Sequence, residues 1–314
     1  MRPAFALAMV ASLSGCGGSA GVTRVGDGAA PQDIPLEERP AAPMDLASAQ
    51  RYLLTLVNRD RAKHDLGPVV WDEAAARAGQ RHAEDMAEKG FTAHIGSDGS
   101  VPELRYTEAG GGGMVMENVG CVADAEPRRR AKDPKFSADS IERVQKAFMD
   151  EVPPHDGHRK NILTPWHTSL GVGLAQPEGF DIACMSQEFV DHWGEYDDLP
   201  GSAKVGKKVS VEGKVTAPAK FAGVGVARID MPGPRTPKEL LKTGGYKIPK
   251  PYVTYFPAGF KTPIPVQVDG ESFRIAVPLD DDGKPGLYQI SIWATVPNRK
   301  ELTMVSLRTL PVTR

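Results

Sequence analysis

The spacing of apolar residues changes near residue 200, and this change most constrains the fold of the chain. Upstream, apolar residues recur every three or four positions, which is typical of helices with one buried face. Downstream, apolar and polar residues alternate in short runs broken by Gly, Pro and Asp, which is typical of half-buried strands. A length of 314 residues also allows two domains with separate cores. We therefore predict an α+β domain at residues 45–196 and an all-β, immunoglobulin-like sandwich at residues 200–314.

Two helices are predicted at the start of the first domain. Asp45 and Asp72 are N-cap residues in front of apolar residues at helical spacing, and Gly67-Pro68 and Gly90 supply the stops. His82 falls on the packed face of the second helix. We expect it to be a hydrogen-bonded core histidine, with a role as a ligand as the alternative.

A third helix is predicted after a long connection. Residues 91–117 are expected to be mostly loop. Asp139 and Glu142 form a capping-box pattern, and the inner face of the helix that follows would include Val152. Glu151 lies beside that face, so its side chain is expected to point into the interior.

Strands are predicted at residues 170–174 and 182–189, which with the helices make one compact unit. The second domain would consist of short alternating strands joined by turns. It contains no histidine and no cysteine. We therefore expect a binding or spacer module there, rather than a catalytic or zinc-binding one.

Four residues on separate local elements could meet in one cleft. They are His94, Glu117, Glu151 and His158. Imidazole and carboxylate groups bind divalent metals or exchange protons near neutral pH. His155 could add a ligand, but its position after two prolines predicts an exposed turn.

These residues lie in motifs that resemble those of the CAP superfamily, which includes cysteine-rich secretory proteins, antigen 5 and pathogenesis-related-1 proteins. The resemblance covers roughly residues 48–193. Two departures are visible: Met116 replaces the glycine that usually precedes Glu117, and Phe148 replaces a tryptophan. The matching segments are Leu56-Val57-Asn58-Arg59, Val70-Trp71-Asp72, Glu117-Asn118-Val119, Gly157-His158-Arg159, Asn161-Ile162-Leu163, Gly171-Val172-Gly173 and Gln187-Glu188-Phe189.

The resemblance implies an α-β-α sandwich and a central cleft that contains all four residues. Such a site suits zinc or another divalent metal, and the family resemblance adds a lipid, sterol-like or cell-wall ligand. No serine or cysteine nucleophile accompanies the four, so no catalytic residue is assigned. We favour a binding protein, with a metal-assisted or acid–base hydrolase acting outside the cytoplasm as the alternative.

The N-terminus predicts export. A positive charge at Arg2 precedes a short apolar core, and Leu13-Ser14-Gly15-Cys16 resembles a bacterial lipobox. We expect residues 1–16 to be a signal peptide, Cys16 to carry lipid, and residues 17–44 to form a flexible linker. The location would be the cell envelope, on the outer membrane. A cleaved soluble signal is the alternative.

The remaining cysteines, Cys121 and Cys184, form an even pair in an exported chain, which predicts a disulfide. Two free buried thiols are the alternative. The 38 basic and 40 acidic residues provide no basic field for nucleic acid. A basic cluster formed by Arg128-Arg129-Arg130, Lys132 and Lys135 is expected to be a solvated insertion, with contact to anionic lipids or cell-wall polymers as the alternative.

Overall fold

The computed structural model describes residues 39–243 and 245–314, together with the backbone of one strand at Leu7–Met9. The predicted lipidation site Cys16 and most of the predicted linker lie outside the described residues. Among the described helices, none is long and apolar enough to cross a bilayer.

A five-stranded sheet forms the centre of the first domain, with strand order β1-β3-β5-β4-β2, and its edge strand β1 falls within the predicted signal peptide. All neighbouring strands are antiparallel except β2 and β4, which are parallel. The strands are β1 (Leu7–Met9), β2 (Val70–Trp71), β3 (Met114–Val122), β4 (Ser169–Ala175) and β5 (Cys184–Asp191). The helices are α1 (Leu46–Ala62), α2 (Glu73–Lys89), α3 (Pro102–Glu108), α4 (Ala138–Met149) and α5 (Gly157–Ile162).

Helices cover both faces of this sheet, so the predicted α-β-α sandwich is confirmed. Apolar residues of α1 and α4 pack with Leu170 and Val172 on one face, whereas α2 lies on the other. Gly171 and Gly173 face α2, since alternate residues of a strand point to opposite sides. A Cβ at either position would come within 2.0–2.1 Å of the α2 backbone. The two glycines therefore allow the helix to pack directly on the strand.

The structure bears out the first two helices and corrects details of the third. Asp45 and Asp72 cap α1 and α2 as predicted. The cap of α4 is Ser137, whose hydroxyl accepts from the backbone N–H of Ser140 at 3.1 Å, and not Asp139. Because α4 ends at Met149, Val152 lies beyond the helix and is 69% exposed.

Residues 91–117 are mostly loop, as predicted, but α3 and the start of β3 interrupt the loop. The β3 part includes Glu117. A proline at the first helical position suits α3, because its missing N–H has no partner in a helix anyway. The predicted turn at residues 155–158 likewise passes into α5 from Gly157.

The second domain is a β-sandwich with one shared apolar core, as predicted. One sheet has the order β10-β9-β13-β14-β7 and the other β11-β12-β8-β6. The first strand, β6, pairs with β8, so the chain enters this domain at Gly194 rather than after residue 200. The elements are β6 (Gly194–Tyr196), β7 (Ala203–Lys204), β8 (Lys208–Val215), β9 (Lys220–Ile229), α6 (Pro237–Leu240), β10 (Val253–Tyr255), β11 (Gln267–Asp269), β12 (Ser272–Pro278), β13 (Gly286–Thr295) and β14 (Thr303–Thr313).

The outer face of the larger sheet packs against the first domain. Leu287 of β13 joins an apolar cluster with Val101 and Leu104 of the first domain. The backbone N–H of Leu307 in β14 donates to the carbonyl of Gly113 at 3.3 Å. The connection between β9 and β10 extends further, and its Leu240 packs into a cluster of the first domain.

Candidate functional site

Glu117 lies at the centre of a buried group of charged and polar side chains. Its two oxygens accept from Nδ1 of His94 at 2.8 Å and from Nη2 of Arg105 at 2.6 Å. The hydroxyl of Ser186 donates to it at 3.3 Å. Burial alone would raise the pKa of Glu117, but the charge of Arg105, aided by His82 and His94, outweighs burial and holds that pKa well below its usual range.

Arg105 and His82 complete the surroundings of Glu117. The guanidinium of Arg105 also donates to the carbonyls of His94 and Ser100, at 3.0 and 2.9 Å. His82 is buried, and its Nε2 contacts the carbonyl of Ala93 at 2.7 Å, so the predicted core histidine is confirmed. Burial and the nearby charge of Arg105 lower the pKa of His82 to about 4. Its ring is therefore neutral at neutral pH.

Glu188 is a second carboxyl in the same group. It pairs directly with Glu117 across β3 and β5, and its Oε1 lies 2.8 Å from the hydroxyl oxygen of Ser186. Burial raises the pKa of Glu188 well above its usual value, and the negative charge of Glu117 raises it further. The pKa values of these two adjacent carboxyls are therefore shifted in opposite directions.

Glu151 and His158 form the other half of the predicted site. Nδ1 of His158 lies 2.5 Å from one oxygen of Glu151, and the backbone N–H of His158 donates to the other at 2.8 Å. The side chain of Glu151 is 7% exposed, as expected for one that points inward. The ring of His158 stacks on Phe148 with centroids 4.4 Å apart. His155 is exposed, as predicted.

The structure thus arranges the four predicted residues as two histidine–glutamate pairs. Among the described residues, no group of three or more His, Cys, Asp or Glu is placed so as to hold a metal ion. A carboxylate oxygen faces Nδ1 of each histidine. Because a carboxylate only accepts hydrogen bonds, Nδ1 is the ring nitrogen that carries the hydrogen. In both His94 and His158, Nε2 is buried and has no hydrogen-bond partner within the described part of the chain.

A polar network fills the face of β3 opposite Glu117. Asn118 donates to the carbonyl of His158 at 3.2 Å, so the network supports the second pair. Its members are far apart in sequence, and no single sequence motif predicts that they form a network. In order, they are Asp60, Gln145, Gln187, Asn118, Asn161, His167 and Asp191, with neighbours separated by 2.5–3.1 Å.

A small cavity of about 80 Å³ adjoins the first pair. His94 and Glu117 line one side, Met114 and Met116 contribute apolar surface, and Asn161 also borders the space. The second domain completes the wall, because the connection between β9 and β10 contributes its residues 246 and 248. The cavity is therefore a feature of both domains.

Glu103 joins the two domains beside this cavity. Its carboxyl accepts from the hydroxyl of Tyr246 and from the side-chain amide of Gln289. Burial raises the pKa of Glu103 to about 7, against the lowering effect of the Tyr246 hydrogen bond. A carboxyl that titrates near neutral pH therefore lies in the interface.

A disulfide joins Cys121 to Cys184, as predicted. The two cysteines lie on neighbouring antiparallel strands, β3 and β5. The bond therefore anchors a strand of the central sheet that carries Glu117.

Three members of the basic cluster, Arg128, Arg130 and Lys135, have acidic partners within the domain. Arg128 donates to Asp124 at 2.8 Å. Arg130 pairs with Glu84 at 2.7 Å and with Glu88 at 3.3 Å. Local pairing of this kind agrees with the expectation of a solvated insertion.

Sequence reasoning missed Arg105, Glu188 and Glu103 as members of the site. Arg105 and Glu103 lie on a helix in a stretch predicted as loop, and Glu188 was treated only as part of a strand. The one available signal was a charged residue within a segment predicted to be buried. Glu188 lies in an apolar strand, and a buried carboxyl group needs a polar partner.

Comparisons with known proteins agree with this fold. Residues 54–189 match the model of the family described as CAP, the cysteine-rich secretory protein family. The Bacillus subtilis uncharacterized protein YkwD is 27% identical over 136 residues, which are 43% of this chain and 46% of that protein. The membrane protein YlbC of the same organism is 25% identical over 153 residues, or 46% and 35% of the two chains. The chain thus spans less than half the length of these relatives.

A solved structure was also found, of an extracellular protein containing a SCP domain from Bacillus anthracis str. Ames. It is 23% identical, with a TM-score of 0.35, and the match covers 46% of this chain and 41% of that one. The family model, the motifs around Glu117 and His158 and the three-layered fold coincide in the same part of the chain. Residues 54–189 therefore belong to the cysteine-rich secretory protein (CAP) family.

Proposed function

We propose that this chain is an exported binding protein whose CAP domain coordinates a divalent metal ion through Nε2 of His94 and Nε2 of His158. One observation carries the proposal: both nitrogens are buried with no hydrogen-bond partner among the described residues, while a glutamate lies at the other nitrogen of each ring. Histidines that bind metals commonly have their second ring nitrogen bound to a carboxylate. A buried nitrogen with a free lone pair is also costly unless it receives a ligand.

This proposal gives the two glutamates a different role from the one that the sequence suggested. Glu117 already accepts from Arg105 and His94, and Glu151 accepts from His158 through both oxygens. They orient the imidazoles instead of binding the ion. When bound, a zinc-like ion would supply positive charge and open coordination positions for a ligand.

Binding is favoured over hydrolysis by the electrostatics of Glu117. A general base works best when its pKa lies near the working pH. The pKa of Glu117 is held well below its usual range by Arg105, so this carboxylate is a weak base. An acid–base hydrolase centred on Glu117 is therefore the less favoured function.

The cavity limits what part of a ligand could enter beside His94. Its volume of about 80 Å³ is far below the ~300–1,000 Å³ typical of ligand pockets. A whole lipid or sterol-like molecule does not fit there. We propose that only a small apolar group of a lipid or cell-wall ligand contacts Met114 and Met116.

Export and anchoring form the second part of the proposal. The disulfide between Cys121 and Cys184 favours an oxidising compartment. A lipid at Cys16 would hold the protein on a membrane of the cell envelope, as its lipobox-like sequence suggests. Detergent phase separation tests this: Cys16→Ala should move the protein to the aqueous phase, and an unchanged distribution would refute the anchor.

Zinc titration by calorimetry tests the metal site in the full chain. We expect His94→Ala and His158→Ala each to weaken binding by about tenfold or more, whereas His155→Ala, on an exposed histidine, leaves it unchanged. Affinity should also fall on acidification, because protons compete for the imidazole nitrogens. The proposal fails if the parent and His158→Ala bind zinc equally well.

A further inference from the structure

A second cavity lies where the two domains meet, away from His94 and His158. Its volume is about 290 Å³. The glycine run at residues 110–112 borders it from the first domain, and Arg308 and Thr309 of β14 border it from the second. No part of the function proposed above uses this space.

Arg308 is a buried guanidinium without a carboxylate partner in the described part of the chain. The residue is 2% exposed. Its Nη1 donates to the carbonyl of Asp197, and the ring of Tyr196 lies 5.5 Å away. Nε and Nη2 have no hydrogen-bond acceptor among the described residues. Burial lowers the pKa of Arg308 to about 10, so the group still carries a full charge at neutral pH.

The two unpartnered nitrogens define the chemistry of the missing group. Nε and Nη2 lie on one edge of the guanidinium plane, and their N–H bonds form the fork that binds a carboxylate through two parallel hydrogen bonds.

Acidic groups at the cavity restrict the ligand's total charge. Glu108 lines the cavity but is paired with Arg81 at 2.6 Å. Asp198 also lines it and is exposed. These carboxylates would repel a second negative charge on a ligand bound to Arg308.

We propose that this cavity between the glycine run 110–112 and β14 binds a small monocarboxylate through the Nε–Nη2 edge of Arg308. The ligand would contact both domains, so binding also strengthens their association. Burying a charged donor without an acceptor is unfavourable, and a carboxylate removes that penalty.

Wild-type protein with chemically matched probes provides the first test. Propionate and its neutral analogue propionamide are titrated while the Arg308 Nε–H resonance is followed by NMR. We expect propionate to shift this resonance at concentrations at which propionamide does not, and malonate to bind more weakly than propionate. Equal responses to propionate and propionamide, or tighter binding of malonate, would overturn the assignment.

Variants provide the second test. Arg308→Gln should weaken propionate binding by about tenfold or more, since a charge-assisted pair of hydrogen bonds is lost. Arg274→Gln removes an exposed arginine from the same domain and should leave binding unchanged. The proposal is wrong if both variants bind propionate as the parent does. Should Arg308→Gln not fold, the comparison of propionate with propionamide in wild-type protein decides alone.

Discussion

Glu117 and Glu188 lie directly opposite each other on β3 and β5, yet their pKa values are shifted in opposite directions. Arg105 donates to Glu117 at 2.6 Å and keeps it charged. Among the described residues no cation donates to Glu188, so burial and the charge of Glu117 raise its pKa well above the usual value. Two like residues in one pair thus have opposite effects on the pH dependence of folding.

Replacement of Glu188 by Gln should stabilise the protein at neutral pH by about 1–3 kcal/mol. Because the folded-state pKa of Glu188 is raised, the unfolded chain releases this proton first, and stability is lost as the pH rises above the ordinary glutamate range. A neutral amide removes that loss. Urea unfolding at pH 4.5 and pH 7.5 measures the difference, which should be larger at pH 7.5.

The matched control for this substitution is Glu178→Gln, on an exposed glutamate of the same domain. It should change stability little at either pH. A Glu188→Gln variant with the same pH profile as the parent would mean that Glu188 is ionised in the folded protein.

Removal of Arg105 should be strongly destabilising. Arg105→Met leaves the buried Glu117 charge unpaired, and loss of one partner of a buried pair typically costs about 3–5 kcal/mol. The double variant Arg105→Met with Glu117→Gln should recover part of this loss. Arg81→Met is the control, since Arg81 is half exposed and its ion pairs are worth at most about 1 kcal/mol. If the effects of Arg105→Met and Glu117→Gln on stability simply add in the double variant, Arg105 and Glu117 are not coupled.

Loss of the disulfide should lower stability by about 4 kcal/mol, because the bond closes a loop of 63 residues. The double variant Cys121→Ala with Cys184→Ala measures this by denaturant unfolding. Thiol titration of the unfolded, unreduced parent should find neither of these two cysteines free. Detection of both as thiols would refute the bond.

The domain interface should weaken as the pH rises through about 7. The pKa of Glu103 is raised to about 7 by burial, so the stabilisation of the protonated form is complete below the ordinary glutamate value near 4.3 and is lost above 7. Hydrogen exchange at the amides of residues 287–289 reports this loosening. Glu103→Gln should remove the pH dependence, whereas Glu108→Gln, on an exposed residue of the same helix, should retain it. If hydrogen exchange in Glu103→Gln depends on pH as it does in the parent, Glu103 is not the origin of that dependence.

Local signals in the sequence were enough for much of the fold. Caps at Asp45 and Asp72 and the alternation of β12 and β13 are properties of neighbouring residues, so they could be read directly. Helix α3 could not, because five of its seven residues are buried by contacts with neighbouring elements such as β14 and β3 rather than along a periodic face of its own. Tertiary packing overrode the local pattern there.

At the candidate site, too, the sequence predicted which residues are present but not how tertiary contacts arrange them. The motifs identified His94, Glu117, Glu151 and His158, but the sequence could not show that each glutamate is already bound to a histidine. Arg105 decides the charge state of Glu117 from a separate element, and Tyr246 reaches the cavity from another domain. Such contacts depend on the assembled fold and leave no mark in sequence spacing.

Strand β3 is tethered at both ends. Cys121 is bonded to Cys184 at one end, and just before the other the carbonyl of Gly113 accepts from Leu307 of the second domain. Glu117 lies between these two attachments. Linkage between two sites is reciprocal: if a ligand binds the cavity more tightly when the two domains are associated, it must strengthen their association by the same free energy. The second domain would then act as an effector of the CAP cavity, and the strength of domain association would rise with the concentration of the cavity's ligand.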